Sequence, residues 1–252
     1  MTDQPQTLTK AQVTRYRGLK QTKNRKQEGL FLLEGVRLCE AAFRSALKIE
    51  ICITEKGFDK LAIPGHLSSY QATKLQLDQI SDSKSPQGII YIAKIPETTP
   101  LPTPEAGKVL LVLNRLADPG NMGTIFRSAL WFGVSDILLG PDCVDPYSPK
   151  VVRSSMGAIG SLRLHFSDNL KNAAKDWQNA GGEIAALHMT GTPLSSFQPD
   201  QGLFLIIGSE AHGVDPELLK QSTLLSIAKQ GRGESLNAAM ATGIALYELS
   251  RS

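Results

Sequence analysis

The sequence predicts an α/β protein of two domains, and three observations carry that expectation. Residues 95–107 (IPETTPLPTPEAG) hold four prolines and almost nothing that seeds a helix or a core. Such chain is an extended, semi-rigid spacer, so it marks a boundary. After it, apolar runs rich in leucine and β-branched residues are separated by helical stretches, the pattern of a parallel sheet covered on both faces. Before it, shorter apolar runs alternate with helical patterns, which predicts a small α/β unit. The division is therefore 1–95, a linker at 96–107, and 108–252.

In the first part the strand candidates are 29–33, 49–54 and 88–93. A helix with one apolar face fits 35–47, where Val36, Leu38, Ala41, Ala42 and Leu47 recur at mixed three- and four-residue spacing. In the second part the strands are 109–113, 137–139, 184–187, 203–207 and 224–227. Ligands of such sheets bind beyond the carboxyl ends of the strands, in the loops that follow.

Composition narrows the function classes. The 252 residues are 41% hydrophobic, enough for a sizeable core. No apolar run reaches membrane-spanning length, and the polar start MTDQPQTLTK is unlike a signal peptide. Cys39, Cys52 and Cys143 are far apart and form no C-x-x-C pair, while His66, His165, His188 and His212 lack metal-ligand spacing. The expectation is a cytoplasmic, metal-free protein with no membrane segment.

The net charge is only +3, but residues 10–26 (KAQVTRYRGLKQTKNRK) carry seven basic side chains and no acidic one. Without those seven, 20 basic residues face all 24 acidic ones, a net −4. A positive stripe on an acidic body is the footprint of a polyanion-binding surface. A solvated basic tail has the same composition. Tyr16 within the stripe offers a base-stacking platform.

Three loops of the second part are chemically conspicuous. In DPGNMGTIFRSA (118–129), Asn121 lies near the start of a helix spanning about 122–132. Ile125, Phe126, Ala129 and Leu130 form its apolar stripe, and 100° per residue places Arg127 roughly opposite. Gly120 and Gly123 do not make G-x-G-x-x-G, so no dinucleotide fingerprint is present and an oxidoreductase is disfavoured. In LFLIIGSEAHGV (203–214), Gly208 and Gly213 flank Glu210, letting backbone approach a ligand closely. In LLSIAKQGRGESLNAAMATGIALYELS (224–250), Ser235 is the expected N-cap of a terminal helix, with Asn237 in its first turn. Leu236, Ala239, Met240 and Gly243 look like a packing face, for the core or for a dimer interface, rather than a cofactor box.

Together, N-x-x-x-x-x-R, G-x-E-x-x-G and E-S-L-N in this order closely resemble the three motifs of the SpoU family of RNA ribose 2′-O-methyltransferases. The resemblance extends through KNRKQEGLFLLEGVRLCEAA, SPQGIIYIA and YSPKVVRSSMGA, and so covers nearly the whole chain. It implies a trefoil-knotted methyltransferase domain that binds S-adenosylmethionine and works as a homodimer, preceded by a ribosomal-protein-like substrate-binding domain at 1–95. It also implies ribosomal RNA as substrate, with transfer RNA as the alternative. A catalytically degenerate RNA-binding protein on this fold is the remaining reading.

The resemblance assigns Asn121, Arg127, Glu210, Ser235 and Asn237 to catalysis, with Arg127 at the 2′-hydroxyl as base or as orienting group. It assigns Leu187, Gly208, Glu210, Gly213, Ile227, Gly231 and Leu236 to the cofactor pocket. Arg15, Arg17, Lys23, Arg25 and Arg153 are the expected RNA contacts. One departure stands out: where family members commonly read Ile-Pro-Met, this chain has Ile227-Ala228-Lys229.

Overall fold

The computed structural model describes residues 6–209 and 211–251. The first elements are β1 (Gln6–Thr7), α1 (Lys10–Gly18), α2 (Thr22–Glu28), β2 (Leu30–Glu34), α3 (Val36–Phe43), β3 (Ile49–Glu55), β4 (Ser68–Ala72), α4 (Lys74–Ile80) and β5 (Ile89–Lys94). Then come β6 (Val109–Asn114), α5 (Pro119–Trp131), β7 (Asp136–Leu139), α6 (Pro149–Ser154), β8 (Arg163–Phe166) and α7 (Leu170–Asn179). The chain closes with β9 (Glu183–Pro193), β10 (Leu203–Gly208), α8 (Pro216–Leu219), β11 (Thr223–Ser226) and α9 (Ala238–Leu249).

The chain divides into two compact units, Met1–Glu97 with Asp145–Ser161, and Thr98–Val144 with Leu162–Ser252. The first crossing falls in the Pro-rich segment. The return of Asp145–Ser161 to the first unit departs from the simple division at 108.

In the first unit, α1 and α4 both start with a capping box. The side chains of Thr9 and Thr73 accept from the backbone of Gln12 and Gln76, which reciprocate. The sheet order is β1-β4-β3-β5-β2, with β3 and β4 parallel and β5 antiparallel to both neighbours. Alternation splits its side chains between two faces. Leu30, Leu32, Ile53, Ile90 and Ile92 pack with Val13, Tyr16 and Leu19 of the α1 region and with Leu77 and Ile80 of α4. Phe31, the alternate residue of β2, meets the ring of Tyr147 at 5.0 Å in the returning segment. That segment passes close to α3: a Cβ on Gly157, at φ +95°, would stand 2.5 Å from the Cβ of Ala41. The helix expected over 35–47 stops at Phe43, where the Arg44 N–H closes the last turn.

Tertiary contacts sort the seven cations of the basic stripe. Arg25 is 1% exposed. Its guanidinium donates to Asp145 Oδ2 (3.1 Å from Nε), to Leu19 O (2.7 Å) and to Thr22 Oγ1 (2.9 Å). Arg25 is therefore no RNA contact, because its donors are spent inside the fold. Tyr16 is no stacking platform either, since it is buried in the core cluster. Arg15 pairs with Glu28 at 2.5 Å, and Lys20 is tied to the carbonyls of Gln79 and Ser81. Arg153 on α6 holds Asp82 at 2.8 Å and lies 4.0 Å from Glu34, so its charge is already answered. Lys10, Arg17, Lys23 and Lys26 are exposed and make no ion pair among the described residues.

The second unit carries a six-stranded, wholly parallel sheet in the order β11-β9-β10-β6-β7-β8. Its central strands are apolar throughout because both faces are covered. Leu110, Val112, Phe204 and Ile206 face Trp177 and Leu170 of α7 and Leu218 of α8. The alternate residues Leu111, Leu113, Leu205 and Ile207 are buried on the opposite side, where α9 packs against β10 and α5. The unpredicted strand β8 contains a buried histidine. His165 lies 3.0 Å from Asp136 Oδ1 and 3.0 Å from Thr99 O, its two ring nitrogens both satisfied. Burial pushes the Asp136 carboxyl up, but hydrogen bonds from Arg163 and His165 outweigh it and hold it below the usual carboxylate range.

The Arg25–Asp145 pair generates a stability test. Removing one partner of a buried ion pair strands the other charge and costs about 3 to 5 kcal/mol. Asp145→Ala is expected to destabilise the whole chain by an amount in that range, measured by urea unfolding. An unmoved midpoint would show that Arg25 finds water instead.

Candidate active site

The strand order places the site. From β6 the chain moves outward through β7 and β8, then crosses to β9 and returns through β10 to lie on the other side of β6. The β6–β10 boundary is thus the switch point, where loops diverge and leave a crevice. The register makes Asn114, last residue of β6, the partner of Gly208, last residue of β10.

At Asn114 an apolar strand ends in a polar residue that is only 3% exposed. Its Oδ1 accepts the backbone N–H of Asp215 at 2.9 Å. The Asp215 carboxylate accepts from Glu217 N at 2.9 Å and pairs with Arg115. The Glu217 N–H foremost, and the Arg115 charge after it, hold this carboxyl below its usual range. Arg115 sits at φ +57°, a conformation that a β-carbon makes unfavourable and that the surrounding bonds sustain. These three residues strap the β10–α8 loop to the start of the β6–α5 loop.

The β10–α8 loop closes tightly on itself. An ideal Cβ on Gly208 would lie 2.2 Å from the carbonyl carbon of Gly213 and 2.4 Å from Val214 N, so only glycine fits there. Ser209 bridges Gly213, Ser209 Oγ accepts from His212 N at 3.2 Å, and Gly213 has φ +62°. Glu210 falls outside the described residues.

Helix α5 begins earlier than the sequence suggests. Asp118 is the N-cap, accepting from Asn121 N at 2.7 Å, and Pro119 takes the first turn. Asn121 is thereby placed in the first turn with its side chain turned to the third loop, where Asn237 Nδ2 donates to Asn121 Oδ1 at 3.0 Å. Asn237, not Ser235, caps α9: its Oδ1 accepts from Ala239 N (3.0 Å) and Met240 N (3.2 Å). Ser235 stands exposed with no hydrogen bond among the described residues. Arg127 lies on the exposed side of α5, away from buried Ile125, Phe126 and Ala129. Its guanidinium makes no hydrogen bond or ion pair among the described residues. The packing face expected at Leu236 and Met240 is open, at 50% and 61% exposure, whereas Ala238, Ala239, Thr242, Ala245 and Leu246 face inward.

Half-buried apolar side chains border the same edge. Leu187 of β9 lies one step beyond the Ala186–Ile206 pair, and Ile227 follows directly on β11. Nothing stands within 4 Å of where a Cβ would be on Gly213, Gly231 or Gly233. Apolar walls and glycine backbone with open space suit a flat heterocycle held by main-chain groups. No group of His, Cys, Asp and Glu able to hold a metal occurs among the described residues. Sequence reasoning missed Asn114, Arg115 and Asp215. The available signal was a polar residue at the end of an apolar strand, while Asp-Pro ahead of Asn121 marked the cap.

Comparison with known proteins agrees with this geometry. The SpoU rRNA methylase family profile matches residues 108–247, and the MRM3-like substrate binding domain matches 10–91. A Synechocystis protein named as an uncharacterized tRNA/rRNA methyltransferase is 34% identical over 248 residues, covering 95% of this chain and 90% of its own. The Bacillus subtilis 23S rRNA (guanosine(2553)-2′-O)-methyltransferase RlmP is 30% identical over 233 residues, covering 90% and 91%. The AdoMet-bound rRNA methyltransferase from Sinorhizobium meliloti superposes with a TM-score of 0.86 at 29% identity, covering 98% and 96%.

The Asn121–Asn237 bond is separable from the cap. Serine caps a helix about as well as asparagine but is too short to reach Asn121. Asn237→Ser is expected to change stability by less than about 0.5 kcal/mol, while amide exchange in the 227–236 loop accelerates. Unchanged exchange in that loop would mean the bond holds nothing in place.

Proposed function

Because the chain belongs to the SpoU rRNA methylase family, we propose that it transfers a methyl group from S-adenosylmethionine to a ribose 2′-hydroxyl of ribosomal RNA. One observation carries the reading: the Asn121–Asn237 bond joins the first and third loops at the switch point, with exposed Arg127 about two turns into α5. The AdoMet-bound relative and the 2′-O specificity in the name of RlmP support cofactor and reaction. RlmP and the MRM3-like match favour ribosomal over transfer RNA.

S-adenosylmethionine, when bound, supplies an electrophilic methyl group. Leu187, Ile227 and Leu236 form the apolar side of its pocket, and the backbone around Gly208, Gly213 and Gly231 supplies polar edges. Glu210 and Ser235 belong to the loops that complete it. A ribose hydroxyl is a poor nucleophile, so position and proton handling decide the rate. Arg127 engages the hydroxyl and its phosphate; a guanidinium has five donors and no acceptor, which favours orientation over proton abstraction.

We also propose a homodimer. Leu130 and Trp131 of α5 and Met240 and Tyr247 of α9 are exposed large apolar side chains, Trp131 at 84%. Apolar surface of this kind marks an interface, and a twofold contact is the common solution. Light scattering at micromolar concentration is expected to return twice the chain mass, and a monomer would contradict the assembly.

The reaction test is direct. Labelled S-adenosylmethionine with ribosomal RNA is expected to leave alkali-stable label on ribose, and label confined to bases would sink the proposal. Arg127→Ala should fold and bind cofactor as before while methyl transfer falls by about 10²- to 10⁴-fold. Normal turnover would make Arg127 a surface residue only.

RNA grip falls to the exposed cations of the first unit. Replacing Lys10, Arg17, Lys23 and Lys26 with Gln is expected to flatten the slope of log affinity against log salt by up to about three units, at roughly 0.7 per phosphate contact. A filter-binding titration over several salt concentrations measures it. An unaltered slope would leave the stripe a solvated surface.

A further inference from the structure

The first unit contains a groove that the basic stripe does not include. It lies between the end of α3, the turn after it, and the starting edges of the parallel strands β3 and β4, and it encloses about 420 Å³. Phe43 closes one side, 47% exposed at the last turn of α3. His66, itself exposed, faces it with ring centroids 6.5 Å apart and planes tilted by 33°. Leu47, Ile49 and Leu67 give apolar floor, while Lys48, Glu50 and Ser68 add polar groups. Glu50 lies 3.7 Å from Lys48 and 3.6 Å from Lys94, and Lys48 is 70% exposed.

Leaving a phenylalanine half in water is unfavourable, and here it adjoins a second ring rather than an aliphatic cover. A separation of 6.5 Å with a 33° tilt is that of an ordinary aromatic pair, so the two rings form one wall of the groove. The groove is open to solvent and wide enough to admit one flat ring. The lining mixes a flat aromatic wall, a carboxylate that accepts from N–H groups, and an exposed cation. That mixture fits a flat heterocycle with donor edges on a phosphate chain better than an apolar peptide. Single-stranded RNA is read in this manner, by bases splayed out onto aromatic rings.

We propose that this groove holds one unpaired nucleobase of the RNA substrate, stacked on the aromatic wall of Phe43 with His66 beside it, with Glu50 at its donor edge and Lys48 at its phosphate. The assignment rests on the reading of the protein as an RNA methyltransferase and adds contact with a base to a grip otherwise made of charge.

The test uses the whole chain and a short fluorescein-labelled single-stranded oligoribonucleotide, read by anisotropy. Phe43→Ala is expected to weaken binding by about 5- to 150-fold, the loss of one base–aromatic stack. The salt slope should stay as in the wild type, because no phosphate contact is removed. Phe43→Trp is expected to keep the affinity and to show tryptophan quenching on addition of unlabelled RNA beyond any that the wild type shows. His66→Ala, on an exposed loop, provides a further variant with no folding burden and a smaller loss in the same direction. Wild-type affinity in Phe43→Ala, or no added quenching in Phe43→Trp at saturating RNA, would overturn the base site while methyl transfer by the wild type stands. A wild type that neither binds RNA nor transfers methyl groups would overturn the parent reading and this one with it.

Discussion

The pairing of Asn114 with Gly208 is the constraint on which the second unit's chemistry depends. Parallel register brings the ends of β6 and β10 level, so the two loops that follow start from neighbouring points. A buried amide at one end and a residue without a side chain at the other then divide the work. Asn114 takes up the Asp215 N–H that would otherwise be orphaned, and Gly208 leaves space for the chain to pass within contact distance of Gly213. A slip of one residue would turn Asn114 away and move the apolar rows of both strands to the wrong faces. Register is therefore fixed by the whole core, and the site inherits that precision without a rigid element of its own.

The third loop reaches the first through the amide–amide bond of Asn237 to Asn121, and the same Asn237 side chain also begins α9. Coupling a cap to a cross-loop contact means that forming the helix also presents its cap residue to α5. Lys229 and Ala228, where a more rigid sequence is common in the family, lie in the stretch between β11 and that cap and are exposed. The stretch ends at Asn237, the cap of α9.

Strands of the second unit were legible because buried parallel strands are continuous apolar runs, as in LFLIIG and VLLVLN. β8 was not, because RLHF carries a histidine and an arginine that are satisfied by Asp136, twenty-nine and twenty-seven residues earlier. The motif loops were visible as residues, but their local roles were not. Asp118-Pro119 did mark the cap of α5, whereas whether Ser235 or Asn237 caps α9 depends on backbone angles that composition does not encode. Cations of the stripe looked equivalent in sequence. Only packing reveals that Arg25 is enclosed while Arg17 is not, since its partner Asp145 lies 120 residues away.

That separation has a consequence for the order in which the protein is made. The first unit is discontinuous: its opening 97 residues leave the ribosome before Asp145–Ser161 exist. Until they arrive, Phe31 lacks the Tyr147 ring and Arg25 has a carbonyl and a hydroxyl to bond but no counter-charge. Amino-terminal domains ordinarily finish first during synthesis, but this one must wait until β6, α5 and β7 have been translated. Through that interval the first unit lacks both the Arg25–Asp145 pair and the Phe31–Tyr147 contact, so burial of the Arg25 guanidinium has to follow synthesis of its partner.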